Sequence, residues 1–348
     1  MNALRENDLG QVLILAVNEL RWDPALERLL QSLRPGGILI DAPLAGAAQR
    51  GAEFLSKAAG AVAALPLLAI REEGGDMDPL RALLPSLPSP RSVAEKGLAA
   101  VRRLGDLVGS ALHLFGFNTD LAPLLDLAMP DPGRVFSSEP AQMAKLGTAW
   151  LEGLEPHGVL ACGKHFPGLA GARRSGHPER LLVPKPMAEL WREDLLPFRA
   201  LLPRLPLLLL STAAYKAYDF DWLQSAGLSS KIVEGLLRVK LGYKGVAIAC
   251  GLESENVRGA LRVEEAAVQA LRAECDMLLV EDAGVAERMR RALSAALESG
   301  KLPSARLEQA LKRIRFAKRE LKPPLGSVPR RSMERLAKEF MDFSRQLA

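Results

Sequence analysis

The sequence predicts a closed (β/α)8 barrel of the TIM-barrel class with an additional C-terminal helical tail. Eight short apolar, β-prone runs recur along the chain, at 12–17, 38–40, 65–70, 120–125, 159–162, 207–211, 246–250 and 277–280. Each is almost continuously hydrophobic, the pattern of strands buried on both faces of a parallel sheet. Segments of helical period separate them, with no tract of strands alone, so the chain reads as repeated βα units. An open doubly wound sheet would carry a Gly-x-Gly-x-x-Gly turn after the first strand. Here Val17 runs into Asn18-Glu19-Leu20-Arg21-Trp22 instead.

The first strand, 12–17, is followed by a helix at 24–33 and stopped by Pro35-Gly36-Gly37, directly before the second strand. Glycine past a helix end and proline nearby let the chain reverse. The third strand, 65–70, leads to a long helical segment at 93–114 and a fourth strand at 120–125. A helix at 140–157 ends at Pro156-His157-Gly158 before the fifth strand. After the sixth strand, Ser229 stands where an N-cap belongs, ahead of a helix over 231–240. Lys244-Gly245 precedes the seventh strand, and helices at 263–273 and 285–299 flank the eighth. Residues 304–321 form a basic amphipathic helix, which 322–329 (Lys-Pro-Pro-Leu-Gly-Ser-Val-Pro) breaks. A final helix over 332–347 carries Met333, Leu336, Phe340 and Phe343 at mixed three- and four-residue spacing. The expected organisation is a barrel over 1–321 and a linker with a tail helix over 322–348. That helix either packs on its own barrel or forms a homodimer or partner contact.

A length of 348 residues allows one large domain, and 48% hydrophobic with 25% charged residues is the mix of a globular chain with a full core. No apolar run approaches the roughly 18 residues that span a bilayer, and the N-terminal MNALRENDLGQ has no apolar stretch of a secretory signal. Cys162, Cys250 and Cys275 are too few and scattered for a disulfide framework or a metal site. A cytoplasmic protein with free thiols, no membrane association and no metal or organic cofactor is expected. The net charge of +5 is spread over isolated pairs such as Arg102-Arg103, Arg173-Arg174 and Arg330-Arg331. With aromatics at 5%, this is not the concentrated basic, aromatic-interleaved face of a nucleic-acid binder.

In a barrel of this type the working residues follow the strands at their C-terminal ends. The third strand is followed by Arg71-Glu72-Glu73-Gly74-Gly75-Asp76, the fourth by Asp126 and then Arg134. Gly163-Lys164-His165-Phe166-Pro167-Gly168 and later Ser175-Gly176-His177 follow the fifth, Thr212 and Tyr215 the sixth, and Cys250-Gly251-Leu252-Glu253 the seventh. A Lys-His pair with Arg134 and Asp126 nearby makes a polar pocket suited to a hydroxyl-rich ligand. Burying that pair with no ligand to serve would be costly.

Taken in order, 33–38 (Leu-Arg-Pro-Gly-Gly-Ile), the Glu-Glu-Gly-Gly loop, Phe117-Asn118 with 122–126 (Ala-Pro-Leu-Leu-Asp), 163–168, 228–231 leading to 241–246, Glu265-Ala266-Ala267 and 276–280 make a specific series. The sequence resembles glycoside hydrolase family 3, in its single-domain bacterial β-N-acetylglucosaminidase branch of cell-wall recycling, over about 12–321. The resemblance implies a (β/α)8 barrel that hydrolyses β-linked N-acetylglucosamine with retention. It implies an aspartate nucleophile after the seventh strand and an Asp-x-His acid/base dyad on a loop after the fifth. Retaining hydrolysis needs a carboxylate to attack the anomeric carbon and a proton donor for the leaving oxygen. By the same resemblance Lys164, His165, Arg134 and Asp126 are sugar-binding positions and His177 is the dyad histidine.

The departures fall on the chemistry. The nucleophile position is Cys250, the dyad aspartate is Ser175, and the second histidine of the Lys-His-Phe-Pro-Gly-His-Gly motif is Leu169. The sugar-gripping Asp-Gln-Glu-Gly-Gly-Arg has become Arg71 through Asp76, with Glu73 retained. Arg71 and Asp76 carry opposite charges at the two ends of that loop and can pair within it. Arginine only donates hydrogen bonds, so Arg71 in the pocket suits an anionic sugar better than a neutral one. A barrel that has lost catalysis by the family route is expected, since such residues act as a unit. The alternatives are an active glycosidase with relocated groups, Glu253 or Glu73, and a sugar- or anion-binding sensor. Set against those roles, Glu253 reads as a solvated loop edge, and Glu73 as a hydrogen-bonding partner of the Gly-Gly turn.

Overall fold

The computed structural model describes residues 6–42, 44, 48–62, 64–175 and 179–347. Eight parallel strands close into a barrel: β1 (Leu13–Val17), β2 (Gly37–Ile40), β3 (Leu67–Ile70), β4 (Thr119–Asp120), β5 (Leu160–Phe166), β8 (Leu207–Leu210), β10 (Val246–Ala249) and β11 (Met277–Val280). Closure comes from β1, which pairs Ile14 with Gly37 on one side and Leu13 with Leu278 on the other. Most strand residues are buried, as runs without polar alternation require when helices cover the outside. The predicted fold class is therefore observed.

Two outer helices approach unusually closely. A Cβ built on Gly153 of the helix Pro140–Leu154 would meet the Arg102 carbonyl at 2.1 Å, and one on Gly105 of the helix Leu98–Phe115 would meet the Trp150 carbonyl at 2.4 Å. Only glycine lets the two backbones touch at those points.

Three elements differ from expectation. The segment predicted as one helix over 93–114 is two, Pro90–Glu95 and Leu98–Phe115, split where Gly97 takes a φ of 94°. The fourth strand is two residues long because Pro123 cannot donate to a ladder, although the Ala122 and Pro123 carbonyls still accept from Cys162 and Lys164 in β5. The third difference is a small sheet outside the barrel: β6 (Arg173–Ser175), β7 (Arg180–Val183) and β9 (Ala214–Tyr215), with β6 and β7 antiparallel and β7 parallel to β9. Ser229 caps as predicted, its hydroxyl accepting from the Ile232 amide at 3.2 Å before the π-helical turns of Lys231–Lys240.

The tail returns to its own barrel. The helix Arg330–Leu347 buries Leu336, Phe340 and Phe343, and Arg103 of the helix Leu98–Phe115 pairs with Glu339 at 2.8 Å. The linker is tied down by the Val328 amide, which donates to Gln49 at 3.0 Å. Among the described residues no helix is long and apolar enough to cross a membrane.

Candidate ligand site at the barrel mouth

The site is assembled from residues at the C-terminal ends of five strands, β2, β3, β4, β5 and β10, and in the loops that follow them. Glu73, three residues past β3, is buried and gripped from two directions. Arg134, on the short turn Pro132–Arg134 whose Asp131 side chain accepts from the Gly133 amide at 2.9 Å, donates Nε to Oε2 at 2.9 Å and a terminal nitrogen to Oε1 at 2.8 Å. Lys164 Nζ, from inside β5, lies 2.5 Å from the same Oε1. Burial alone would raise the Glu73 carboxyl, but the ammonium and guanidinium beside it win and hold it down at about 2. Glu73 is thus a permanent carboxylate with most of its lone pairs in use, which suits it to holding two cations in place and not to donating a proton. The Gly-Gly turn is not its partner: the neighbouring Glu72 accepts from the Gly74 amide at 2.8 Å.

Behind Glu73 the charges invert. Asp120, at the end of β4, is fully buried with Oδ1 accepting from the Glu72 amide at 2.9 Å and Oδ2 unpartnered. Burial pushes its carboxyl up to about 8, and burial with Asp78 and Asp120 as like neighbours pushes Glu72 well above the ordinary range.

A second group centres on Asp126, where the chain leaves β4. One oxygen meets His165 Nδ1 at 2.7 Å and the other accepts the Leu169 amide at 2.8 Å. Since a carboxylate only accepts, Nδ1 carries the proton and Nε2 is the ring's remaining polar atom. Leu169 thereby serves the site through its backbone amide. Gly168 and Ala170 are fixed as well: the Tyr215 hydroxyl donates to the Gly168 carbonyl at 2.7 Å, and Asp194, itself bound by Lys185 at 2.7 Å, accepts from the Ala170 amide at 3.2 Å.

The third group surrounds Cys250, the residue expected at the nucleophile position. Cys250 follows β10 and donates its thiol to the Leu210 carbonyl at 3.5 Å. Desolvation pushes that thiol up to about 11, outweighing the pull of nearby Arg71 and Lys164 toward the thiolate. Arg71 does not pair with Asp76 across its own loop. It reaches Asp41, past β2, at 2.6 Å, and Asp76 is exposed. The pair links the residues that immediately follow β2 and β3, so the C-terminal ends of these two strands are joined at the mouth.

Glu253 is not a solvated edge either. It is part-buried, and its Oε1 accepts from the Glu281 amide at 2.6 Å, tying the loop after β10 to the one after β11. Ser175 lies exposed at the end of β6, opposite Arg180 in the hairpin register. His177, expected as the acid/base residue, lies outside the described residues. The structure therefore brings together Glu73, Arg134 and Lys164; Asp126 and His165; and Arg71 with Cys250. Sequence reasoning missed Asp41 and Asp120. Asp41 was within reach of the strand-end rule, being the first residue after β2, whereas Asp120 reads in sequence as one polar residue inside an apolar run.

The geometry defines a barrel whose C-terminal end gathers polar and charged side chains, and the comparisons agree in kind. Residues 6–316 match the glycosyl hydrolase family 3 N terminal domain, and the chain belongs to that family. It is 28% identical over 261 residues to a beta-hexosaminidase of Nitrosomonas eutropha and 32% identical over 253 residues to one of Pseudomonas aeruginosa, each alignment covering 70% of this chain and 74% of the relative. Among solved structures, the beta-N-acetylglucosaminidase from Thermotoga maritima superposes with a TM-score of 0.81 at 27% identity, over 90% of this chain and 68% of that one. LpqI of M. tuberculosis gives 0.80 at 27% identity, over 92% and 94%.

Proposed function

We propose that this chain binds an N-acetylhexosamine-bearing sugar at the barrel mouth and does not hydrolyse it by the two-step retaining route. The observation that carries the reading is Cys250. At the nucleophile position stands a thiol that desolvation keeps protonated and that is engaged with the Leu210 carbonyl. A protonated thiol is not the nucleophile that a glycosyl intermediate requires. Neither relocated candidate supplies the missing group: Glu73 is neutralised by two cations and Glu253 is spent on the loop after β11.

What remains suits binding. Arg134 and Lys164 present donors and His165 its Nε2 acceptor, held in place by Glu73 and Asp126, a preorganised set for sugar hydroxyls. Asp41 offsets the charge of Arg71 and supplies an acceptor beside it, which favours a neutral sugar over an anionic one. The amino-sugar class follows the names of the relatives. A role in cell-wall sugar turnover, as a cytoplasmic sensor derived from a hydrolase, fits that class.

Two measurements on purified protein test the reading. Wild type should release no aryl group from an aryl β-N-acetylglucosaminide, while N-acetylglucosamine raises its Tm and Arg134→Ala abolishes that rise. Turnover in Cys250→Asp alone would identify the lost nucleophile as the main lesion. Wild-type turnover that survives Cys250→Ala overturns the proposal.

A further inference from the structure

Phe220 and Trp222 are 79% and 77% exposed, on a loop that the ligand site does not use. Two exposed aromatics two residues apart make a larger apolar patch than the single scattered side chains usual on a surface. The loop leaves β9 at Tyr215 and is closed at its base by a bridge between Ala214 and Ser225. Tyr215 holds Gly168, in the segment that follows Lys164 and His165. Thr212, which leads into the loop, lies against Gly251 beside Cys250: a Cβ on that glycine would meet its methyl at 3.1 Å. From the other side, Arg180 of β7 donates to the Leu223 carbonyl at 2.7 Å. The loop's own turn is fixed by the Tyr218 and Asp219 amides, which both donate to the Tyr215 carbonyl. Two rings therefore stand on an anchored loop at the C-terminal rim, where the strands deliver the site.

We propose that Phe220 and Trp222 form an outer saccharide subsite that stacks on the sugar rings of a β-linked N-acetylhexosamine oligomer whose end occupies the mouth. This rests on the sugar-binding reading above and extends it from a single sugar to a chain. The electron-rich face of an aromatic ring attracts the slightly positive C–H groups on the flat face of a pyranose, and the contact removes apolar surface on both sides. The other occupants fit less well. Two rings offer at most about 150–250 Å² each, short of the roughly 800 Å² per partner of a stable protein interface. An anionic lipid surface would meet the exposed carboxylate of Asp221, set between the rings.

The test titrates the full chain with N-acetylglucosamine and its β-1,4-linked dimer, trimer and tetramer, followed by calorimetry and tryptophan fluorescence. Affinity should rise about tenfold from monomer to the longer oligomers, the order expected of one or two added aromatic stacks. Phe220→Ala and Trp222→Ala should each reduce that increment and leave the monomer's affinity as it was, while Trp222→Tyr, which keeps a ring, restores it. Both positions are exposed, and circular dichroism checks that the variants fold. Equal affinity for all lengths in wild type, or an increment that survives the double alanine variant, overturns the subsite. Monomer binding without a length increment would sink the subsite alone. A Trp222-dependent increment without monomer binding would sink only the mouth reading. Failure of every sugar to bind overturns both. Sedimentation with phosphatidylglycerol vesicles that Trp222→Ala abolishes, with no dependence on oligomer length, would reassign the rings to a membrane surface.

Discussion

Two carboxyls close to Lys164 are driven in opposite directions, and the difference lies in what each touches. Glu73 meets a guanidinium and an ammonium and is held down at about 2; Asp120, one layer deeper, has an unpartnered oxygen and is pushed up to about 8 by burial. The signs follow from linkage. Asp120 is protonated in the folded chain and ionised in the unfolded one between about pH 4 and 8, so its contribution falls as pH rises through that window. Glu73 is ionised in both states above about pH 5, and its contribution is lost only as pH drops further. Asp120→Asn should therefore remove a pH-dependent loss. In urea unfolding at pH 5 and pH 8.5, the gap between the two midpoints should be smaller in the variant than in wild type. An unchanged gap would mean that Asp120 is ionised in the fold. Little of this was legible beforehand. The Lys-His pair and Glu73 stand out as polar residues after apolar runs, but whether a carboxylate meets cations or other acids depends on which loops converge. The Arg71–Asp41 pair, made between two different strand ends, shows the same limit.

Elements with a strong period were readable, and those defined by a partner were not. The tail helix declared itself through Met333, Leu336, Phe340 and Phe343, of which the last three prove to be buried and Met333 partly so. The spacing could not say against what, because the same stripe serves an intramolecular or an intermolecular groove. The contacts place it on the chain's own helix Leu98–Phe115. Phe340→Ala, which empties a fully buried site, should cost about 3–5 kcal/mol and lower Tm without altering affinity for sugar. A stability change far smaller than that, with unchanged hydrodynamic size, would show the helix undocked in solution. The hairpin was invisible for the opposite reason. Arg173-Arg174-Ser175 is exposed throughout, so β6 has no apolar alternation, and its pairing with β7 is imposed by the loops around it. The split at Gly97 was an available signal, since an isolated glycine in a helical pattern lowers the continuity of the run.

At the scale of the whole molecule the barrel divides its labour between its two ends. The mouth sets partly exposed Arg71, Arg134 and His165 on buried Glu73, Asp126 and Lys164; at the base lies a second buried charge cluster, away from the mouth. Asp276, immediately before β11, accepts from the Ala247 amide of β10 at 3.0 Å, from Arg238 of Lys231–Lys240, and from Arg306 and Arg313 of Ser304–Lys318, each at 2.9 Å. Glu274 adds a second carboxylate, 3.2 Å from Arg313. Three cations against two carboxylates is a balance that tolerates no loss on the acidic side. Such a cluster adds little over a well-packed apolar core, but removing one partner leaves a charge buried and uncompensated, which costs about 3–5 kcal/mol. Asp276→Ala should lower Tm strongly, because the residue ties the helix of the sixth unit, two strands and the last barrel helix together. In the folded fraction its affinity for N-acetylglucosamine should equal that of wild type, since a barrel's base governs stability and its mouth governs chemistry. Trp222→Ala should show the converse, an unchanged Tm with the oligomer increment lost. If Asp276→Ala weakened sugar binding as much as it weakened the fold, the two ends of the barrel would be coupled, and the mouth would be a conformation that the base selects.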